Sequence, residues 1–222
     1  MVNDRQFVIA KKSYNGNGFL SIYLQNEYIL SYQDKLKVHL SKGRELGLLI
    51  GVAWQYDDRR KTPHEELDQL MHADKEITLD DIYELEKTWC GRYVLIVKNW
   101  IFLDATGLLG IFFSDDALSS SYNILCAVVG IKDKYSDKTF GSGLGYQPGM
   151  ITLHKSIKRL LPTQVYDFVE NKLFCKNLFP DQDIFEYSNE QAKDMFIKCF
   201  RTGLLNMQEI AGGELWLSLT GT

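Results

Sequence analysis

A chain of 222 residues with 45% apolar and 24% charged residues can bury a substantial core and reads as a soluble protein of one large domain, or one domain and part of another. Its net charge of -4 gives no electrostatic reason to expect nucleic acid or an anionic membrane surface as a partner. The apolar runs fall far short of the ~20 residues that span a bilayer, and Met1 to Arg5 lacks the basic and apolar pattern of a secretory signal. Cys90, Cys126, Cys175 and Cys199 form no Cys-x-x-Cys pair, so neither a zinc knuckle nor a dithiol redox motif is expected. Buried free thiols in a reducing cytoplasm are the expectation.

The first hundred residues read mainly as strands. Phe7 to Ala10 and Phe19 to Leu24 are β-rich, with Asn15-Gly16-Asn17-Gly18 as turn chemistry between them. Tyr28 to Tyr32 alternates after a turn at Gln25-Asn26-Glu27. Leu46 to Trp54 is almost wholly apolar, which predicts a strand covered on both faces. Two helix starts follow. Thr62-Pro63-His64-Glu65 is a capping box with proline at the first helical position, and Leu67, Leu70 and Met71 supply the apolar stripe. Thr78-Leu79-Asp80-Asp81 opens the second, its acidic first turn matching the helix dipole.

Strands are expected to resume at Arg92 to Lys98 and Trp100 to Asp104, joined at Lys98-Asn99, and then at Ile111 to Ser114 and Tyr122 to Cys126. Ala127 to Lys132 reads as the start of a short helix. Gly141-Ser142-Gly143-Leu144-Gly145 lacks the flanking strand and helix of a dinucleotide loop and reads as a connector. Met150 to Leu153 and Gln164 to Phe168 look extended, with Phe174-Cys175 pairing back across Glu170-Asn171. A boundary is expected near residues 178 to 187. Ser188-Asn189-Glu190 then opens an amphipathic helix carrying Ala192, Met195, Phe196, Cys199, Phe200, Leu204 and Leu205, which Gly212-Gly213 ends. Leu215 to Leu219 reads as a buried strand running into Thr220-Gly221-Thr222. A strand entering such a loop can close backbone N–H groups around a phosphate.

Three internal stretches carry a family resemblance. Leu85 to Val97 contains Cys90-Gly91-Arg92-Tyr93-Val94-Leu95. Trp100 to Phe113 contains Leu103-Asp104-Ala105-Thr106-Gly107 and Gly110-Ile111-Phe112-Phe113. The third runs from Gln147-Pro148-Gly149-Met150-Ile151-Thr152-Leu153 to Ile157-Lys158-Arg159-Leu160-Leu161-Pro162, with Thr163 where the family pattern has glycine. With the terminal loop, these stretches make the chain similar to the asparagine synthetase family over nearly its whole length.

The resemblance implies an α+β architecture: an N-terminal-nucleophile-hydrolase-like αββα sandwich of two mainly antiparallel sheets over residues 1 to 180. Residues 187 to 222 would then open an α/β domain resembling adenine-nucleotide α-hydrolases. It further implies that Ser218, Thr220, Gly221 and Thr222 begin the pyrophosphate loop, with Thr222 departing from the family's second glycine and the x-Asp-Ser remainder lacking. ATP and magnesium are implied for a full-length member, and no cofactor for this chain alone. The implied partner is a C-terminal synthetase domain, with homo-oligomerisation through the exposed apolar edge as a further expectation.

The family's catalytic residues do not carry over. Its glutaminases use a cysteine at residue 2 whose own α-amino group is the base, and Val2 cannot supply either group. The glutamine-binding motif falls on Ile50-Gly51-Val52-Ala53-Trp54-Gln55, where only the glycine matches, and Arg44 is too weak a match for the carboxylate clamp. The expectation is thus a degenerate glutaminase domain with no catalytic residue and no metal ligand, closest in character to lactam-forming, peptide-modifying or polysaccharide-associated relatives. A working amidotransferase with another nucleophile, and a plain binding module on the same sandwich, are the alternatives. Cys90 as nucleophile with His64 or His72 as base is weaker than core packing. Asp57-Asp58 and Asp115-Asp116 read as solvated turns, and neither His39 nor His154 makes a persuasive ligand.

Overall fold

The computed structural model describes residues 5–24, 26–57, 61–132, 149–176 and 187–212. They form an α+β protein with two six-stranded sheets, both antiparallel throughout the pairings seen, and four helices among the described residues. The chain divides into two compact units. The first comprises residues 1–52 and 92–177, and the second residues 53–91 and 178–222.

Both sheets belong to the first unit, apart from the ends of two strands. One has the order β10-β8-β9-β1-β3-β2, built from β1 (Phe7–Ala10), β2 (Phe19–Tyr23), β3 (Ile29–Gln33), β8 (Ile111–Phe113), β9 (Ala117–Ser119) and β10 (Lys158–Leu160). The other has the order β12-β11-β7-β6-β5-β4, from β4 (Val38–Lys42), β5 (Leu46–Gln55), β6 (Trp89–Val97), β7 (Trp100–Leu103), β11 (Gln164–Asp167) and β12 (Lys172–Cys175). Their inner faces share one apolar core: Phe7, Ile9 and Leu30 from the first sheet meet Leu48, Ile50, Val94, Ile96, Ile101 and Leu103 from the second. Period-two alternation explains this, because every second residue of β1, β5, β6 and β7 points inward. The residues between them in β5 and β6, Leu49 and Leu95, are also buried, so the continuous apolar run does mark a strand covered on both faces.

On the outer face of the first sheet lies α3 (Tyr122–Val128), where Ile124, Leu125 and Cys126 join Val8, Ala10, Ala117 and Ile157 in a second cluster. Tyr122 to Cys126 was expected as a strand, and Ala127 onward as the helix. The helix instead begins at the tyrosine and ends where a start was expected. Ser121 is the N-cap, its hydroxyl accepting from Ile124 N, and the chain turns out at Val129 and at Gly130 with φ 73°. An aromatic and an isoleucine raised the β expectation, but a cap plus an apolar face against the sheet outweighed propensity. Met150 to Leu153 forms no strand. Thr152 is buried there, its hydroxyl donating to Ile157 O at 2.6 Å and accepting from His154 N, and this turn leads into β10.

The second unit holds α1 (Pro63–Met71), α2 (Leu79–Glu86), α4 (Asn189–Ala211) and the adjoining ends of β5 and β6. All three helices start at complete capping boxes, Thr62 with Glu65, Thr78 with Asp81 and Ser188 with Gln191. Each box satisfies two N–H groups that the first turn leaves without helical partners. Gly212 closes α4 in the left-handed conformation, φ 64°. The boundary expected near 178 to 187 falls almost wholly outside the described residues. Among the described residues no helix is long and apolar enough to cross a membrane.

Candidate functional site

Ser218, Thr220, Gly221 and Thr222, the expected start of a pyrophosphate loop, lie outside the described residues, as do Val2, Asp58 and the loop from Gly141 to Gly145. Of the stretches that carry the resemblance, the described parts from 92 to 97, 100 to 113 and 149 to 162 meet within the first unit, while residues 85–91 belong to the second. Residues 94–97 of β6 pair with β7, Val94 opposite Leu103. β8 pairs with β10, Ile111 opposite Leu160. The connection between β7 and β8 is a tight turn built by Asp104, which is 1% exposed. Its Oδ1 accepts from Thr106 N at 2.9 Å, from the Thr106 hydroxyl at 2.5 Å and from Leu108 N at 3.5 Å. Its Oδ2 is buried without a hydrogen-bond partner.

Gly107 follows at φ 62°, and a Cβ there would lie 2.8 Å from the Pro162 ring. The Asp-x-x-Gly turn of the second stretch is therefore packed on the proline of the third. Both glycine and proline are needed for geometry: one to take a left-handed φ and vacate space, the other to fill it.

The segment on which the family's glutamine-binding motif would fall, with only Gly51 matching, is held by packing. Ile50 is fully buried in the sandwich core. Gly51 sits at φ 103°, and a Cβ there would come within 2.3 Å of Arg92 O and 3.1 Å of Tyr93 Cα. Only glycine admits that approach of β6 to β5. Gly51 is thus fixed by backbone geometry, and Ile50 is a core side chain.

In the second unit, the ends of β5 and β6 form a ribbon. Tyr56 N donates to Thr88 O at 3.1 Å, so Gln55 and Trp89 share one face and Trp54 and Cys90 the other. Glu66 of α1 gathers the first face: Trp89 Nε1 donates to its Oε2 at 2.7 Å, and Gln55 Nε2 donates to the same oxygen. Two neutral donors thus converge on one carboxylate oxygen. Asn206 Nδ2 donates to Gln55 O at 2.7 Å, a buried bond. No sequence argument brought Gln55, Glu66, Trp89 and Asn206 together. The acidic residue inside a capped helix was the available signal.

The remaining candidates are described by their surroundings. The Cys90 thiol is pushed up by burial and then by the neighbouring Cys199, which lowers its thiolate fraction and weakens it as a nucleophile. His72 Nδ1 is engaged by Asp68 O at 2.7 Å, one turn back on its own helix. Asp115 accepts from Asn171 Nδ2 in an exposed turn. The buried phenols Tyr28 and Tyr166 are raised by burial first, and by Asp116 and Asp115 respectively after it, so neither is poised to exchange protons near neutral pH. No three His, Cys, Asp or Glu residues are grouped to hold a metal among the described residues. No protein-family model matches the chain, and no curated protein matches it.

Proposed function

We propose that the chain supplies the glutaminase-shaped, non-hydrolysing domain of an asparagine-synthetase-like protein that forms amide bonds at the expense of ATP. The single observation that carries this reading is the meeting of the three resembling stretches as neighbouring strands in a two-sheet antiparallel sandwich. Asp104-Ala105-Thr106-Gly107 packs there on Pro162. Within this reading the sandwich of the first unit corresponds to an N-terminal-nucleophile-hydrolase fold. Residues 187 to 222 open the synthetase domain, and Ser218, Thr220, Gly221 and Thr222 begin its ATP loop. Those residues would hold ATP with magnesium in the complete site, where ATP would serve to activate a carboxylate for attack by an amine or ammonia.

Met195, Phe196 and Phe200 on α4 are exposed, which suits a face that the synthetase domain or a second copy covers. The chain itself contributes packing and an interface. Incubating the purified chain with glutamine and measuring ammonia release tests the reading: background rates are expected. Steady turnover surviving Cys90→Ser and contaminant controls would instead favour a working amidotransferase.

A further inference from the structure

Cys90 and Cys199 are far apart in sequence but lie on facing surfaces of the second unit. The Tyr56 N to Thr88 O hydrogen bond sets the register of the ribbon, so Trp54 stands directly opposite Cys90. Tyr56, two residues on from Trp54, shares its face. α4 lies against that face at Gly203, where a Cβ would meet Tyr56 Cβ at 3.7 Å and Trp54 Nε1 and Tyr56 Cα at 3.8 Å. The absence of a side chain lets the helix backbone come close to the strands. Asn206, on the next turn, ties it there through Gln55 O. One turn before Gly203, on the same stripe, is Cys199. After burial, its nearness adds to what raises the Cys90 thiol and, more weakly, the Tyr56 phenol. Cys90 is exposed and Cys199 half-buried, so solvent reaches one of the two.

We propose that Cys90 and Cys199 are a dithiol pair that a small-molecule disulfide oxidises to an intrachain bond, tying α4 to the β5–β6 ribbon. The chemistry balances without another reactant. The Cys90 thiolate attacks one sulfur of the disulfide, forming a mixed disulfide and releasing one thiolate. Cys199 then attacks the Cys90 sulfur, forming the protein bond and releasing the second thiolate. Two electrons pass from the protein to the small disulfide, and the two cysteine protons end on the two released thiols. A bridge needs Cα atoms within about 7 Å; the approach of α4 to Trp54 and Tyr56 at Gly203 brings the helix backbone close to the ribbon one turn from Cys199. Cys126 is fully buried in the first unit's outer cluster and Cys175 stands on β12, so neither shares this geometry. Because partial burial of the sulfur, and then Cys199, push the Cys90 thiol up, the first step is slow at neutral pH. It should accelerate about tenfold per pH unit while the thiol remains mostly protonated.

The test exposes the reduced, folded full chain to oxidised glutathione at pH 7 and pH 8, quenches with an alkylating reagent and maps the peptides. The expected result is loss of two hydrogens and a Cys90–Cys199 cross-link, absent in Cys90→Ser and Cys199→Ser but retained in Cys126→Ser and Cys175→Ser. A trivalent phenylarsenical, which bridges neighbouring thiols without oxidation, should protect the same two cysteines from alkylation. That readout uses the unmodified chain and does not depend on any variant folding. A stable glutathione adduct on Cys90 with Cys199 still alkylatable overturns the proposal, as does a link formed only in denaturant.

Discussion

Replacing Gly51 by alanine separates two costs that the structure assigns to one residue. The first is conformational, since φ 103° is outside the range that residues bearing a Cβ adopt easily, and costs about 1–3 kcal/mol. The second is steric. A Cβ 2.3 Å from Arg92 O overlaps backbone rather than a side-chain end, so β6 must move against a core in which Val94, Leu95 and Ile96 are fully buried. Displacing strands in such a core adds roughly 1–3 kcal/mol. The sum, about 2–6 kcal/mol, is a large part of the ~5–15 kcal/mol that holds a typical domain together. Gly130 provides the matched control. It also has positive φ, 73°, but a Cβ there meets nothing within 4 Å, so Gly130→Ala should cost only the conformational part. Urea unfolding followed by circular dichroism measures both. Equal losses for the two variants would falsify the steric argument and remove the claim that the matched motif glycine is kept for strand approach.

Ile50→Asn should lower stability by about 2–4 kcal/mol, because it buries an unpaired amide in the core. It should not create ammonia release from glutamine, and an ammonia assay on the refolded variant checks both halves. Asp104→Ala should cost about 1–3 kcal/mol by orphaning Thr106 N and its hydroxyl. Asp104→Asn should hold or gain stability, since it keeps an acceptor while removing a buried charge; thermal midpoints that reverse this order would contradict the turn's assigned geometry. Ser188→Ala should cost α4 about 1 kcal/mol, seen as faster amide hydrogen exchange over Gln191 and Ala192 but not over α1. Asp81 is held down from 3.8 to about 2 by Lys75 first and then by Thr78 N–H and hydroxyl. A depressed folded pKa gives stability that is present above the unfolded value and lost as pH falls through the folded one. The deficit of Asp81→Asn relative to the wild type should therefore shrink between about pH 4 and pH 2; a pH-independent deficit excludes the ionised carboxylate as its source.

The elements that could be read from sequence are those whose cause is local. Thr62, Thr78 and Ser188 each carry their N-terminus signal within three residues, and all three helices begin there. The turn at Glu170-Asn171 returns the chain so that Phe174 faces Val165, as the pattern implied. β4, β9 and β10 escaped notice because each depends on a partner. Val38–Lys42 mixes polar and apolar residues and is held by pairing with β5, while β9 and β10 have three residues each and too little pattern to detect. α3 was misread because its deciding features are a serine cap and a sheet surface contributed by Val8, Ala10 and Ala117. The same division applies to the sites. Gly51 and Asp104-Ala105-Thr106-Gly107 stood out as motif residues, yet their roles in close strand approach and turn capping emerge only from tertiary contacts. Glu66 and Cys199 acquire partners from elements remote in the chain, and no local pattern specifies such pairings.

The second unit is discontinuous in sequence: residues 53–91 are completed by residues from 178 onward, with most of the sandwich lying between them. This sets an order for folding during synthesis. When residue 91 leaves the ribosome, the ribbon face bearing Trp54, Tyr56 and Cys90 still lacks α4 and stays uncovered until Gly203 has been made. At about 5–20 residues per second, that wait lasts on the order of ten seconds. For that interval a nascent chain presents two aromatic rings, Trp54 and Tyr56, against which the finished protein lays a helix.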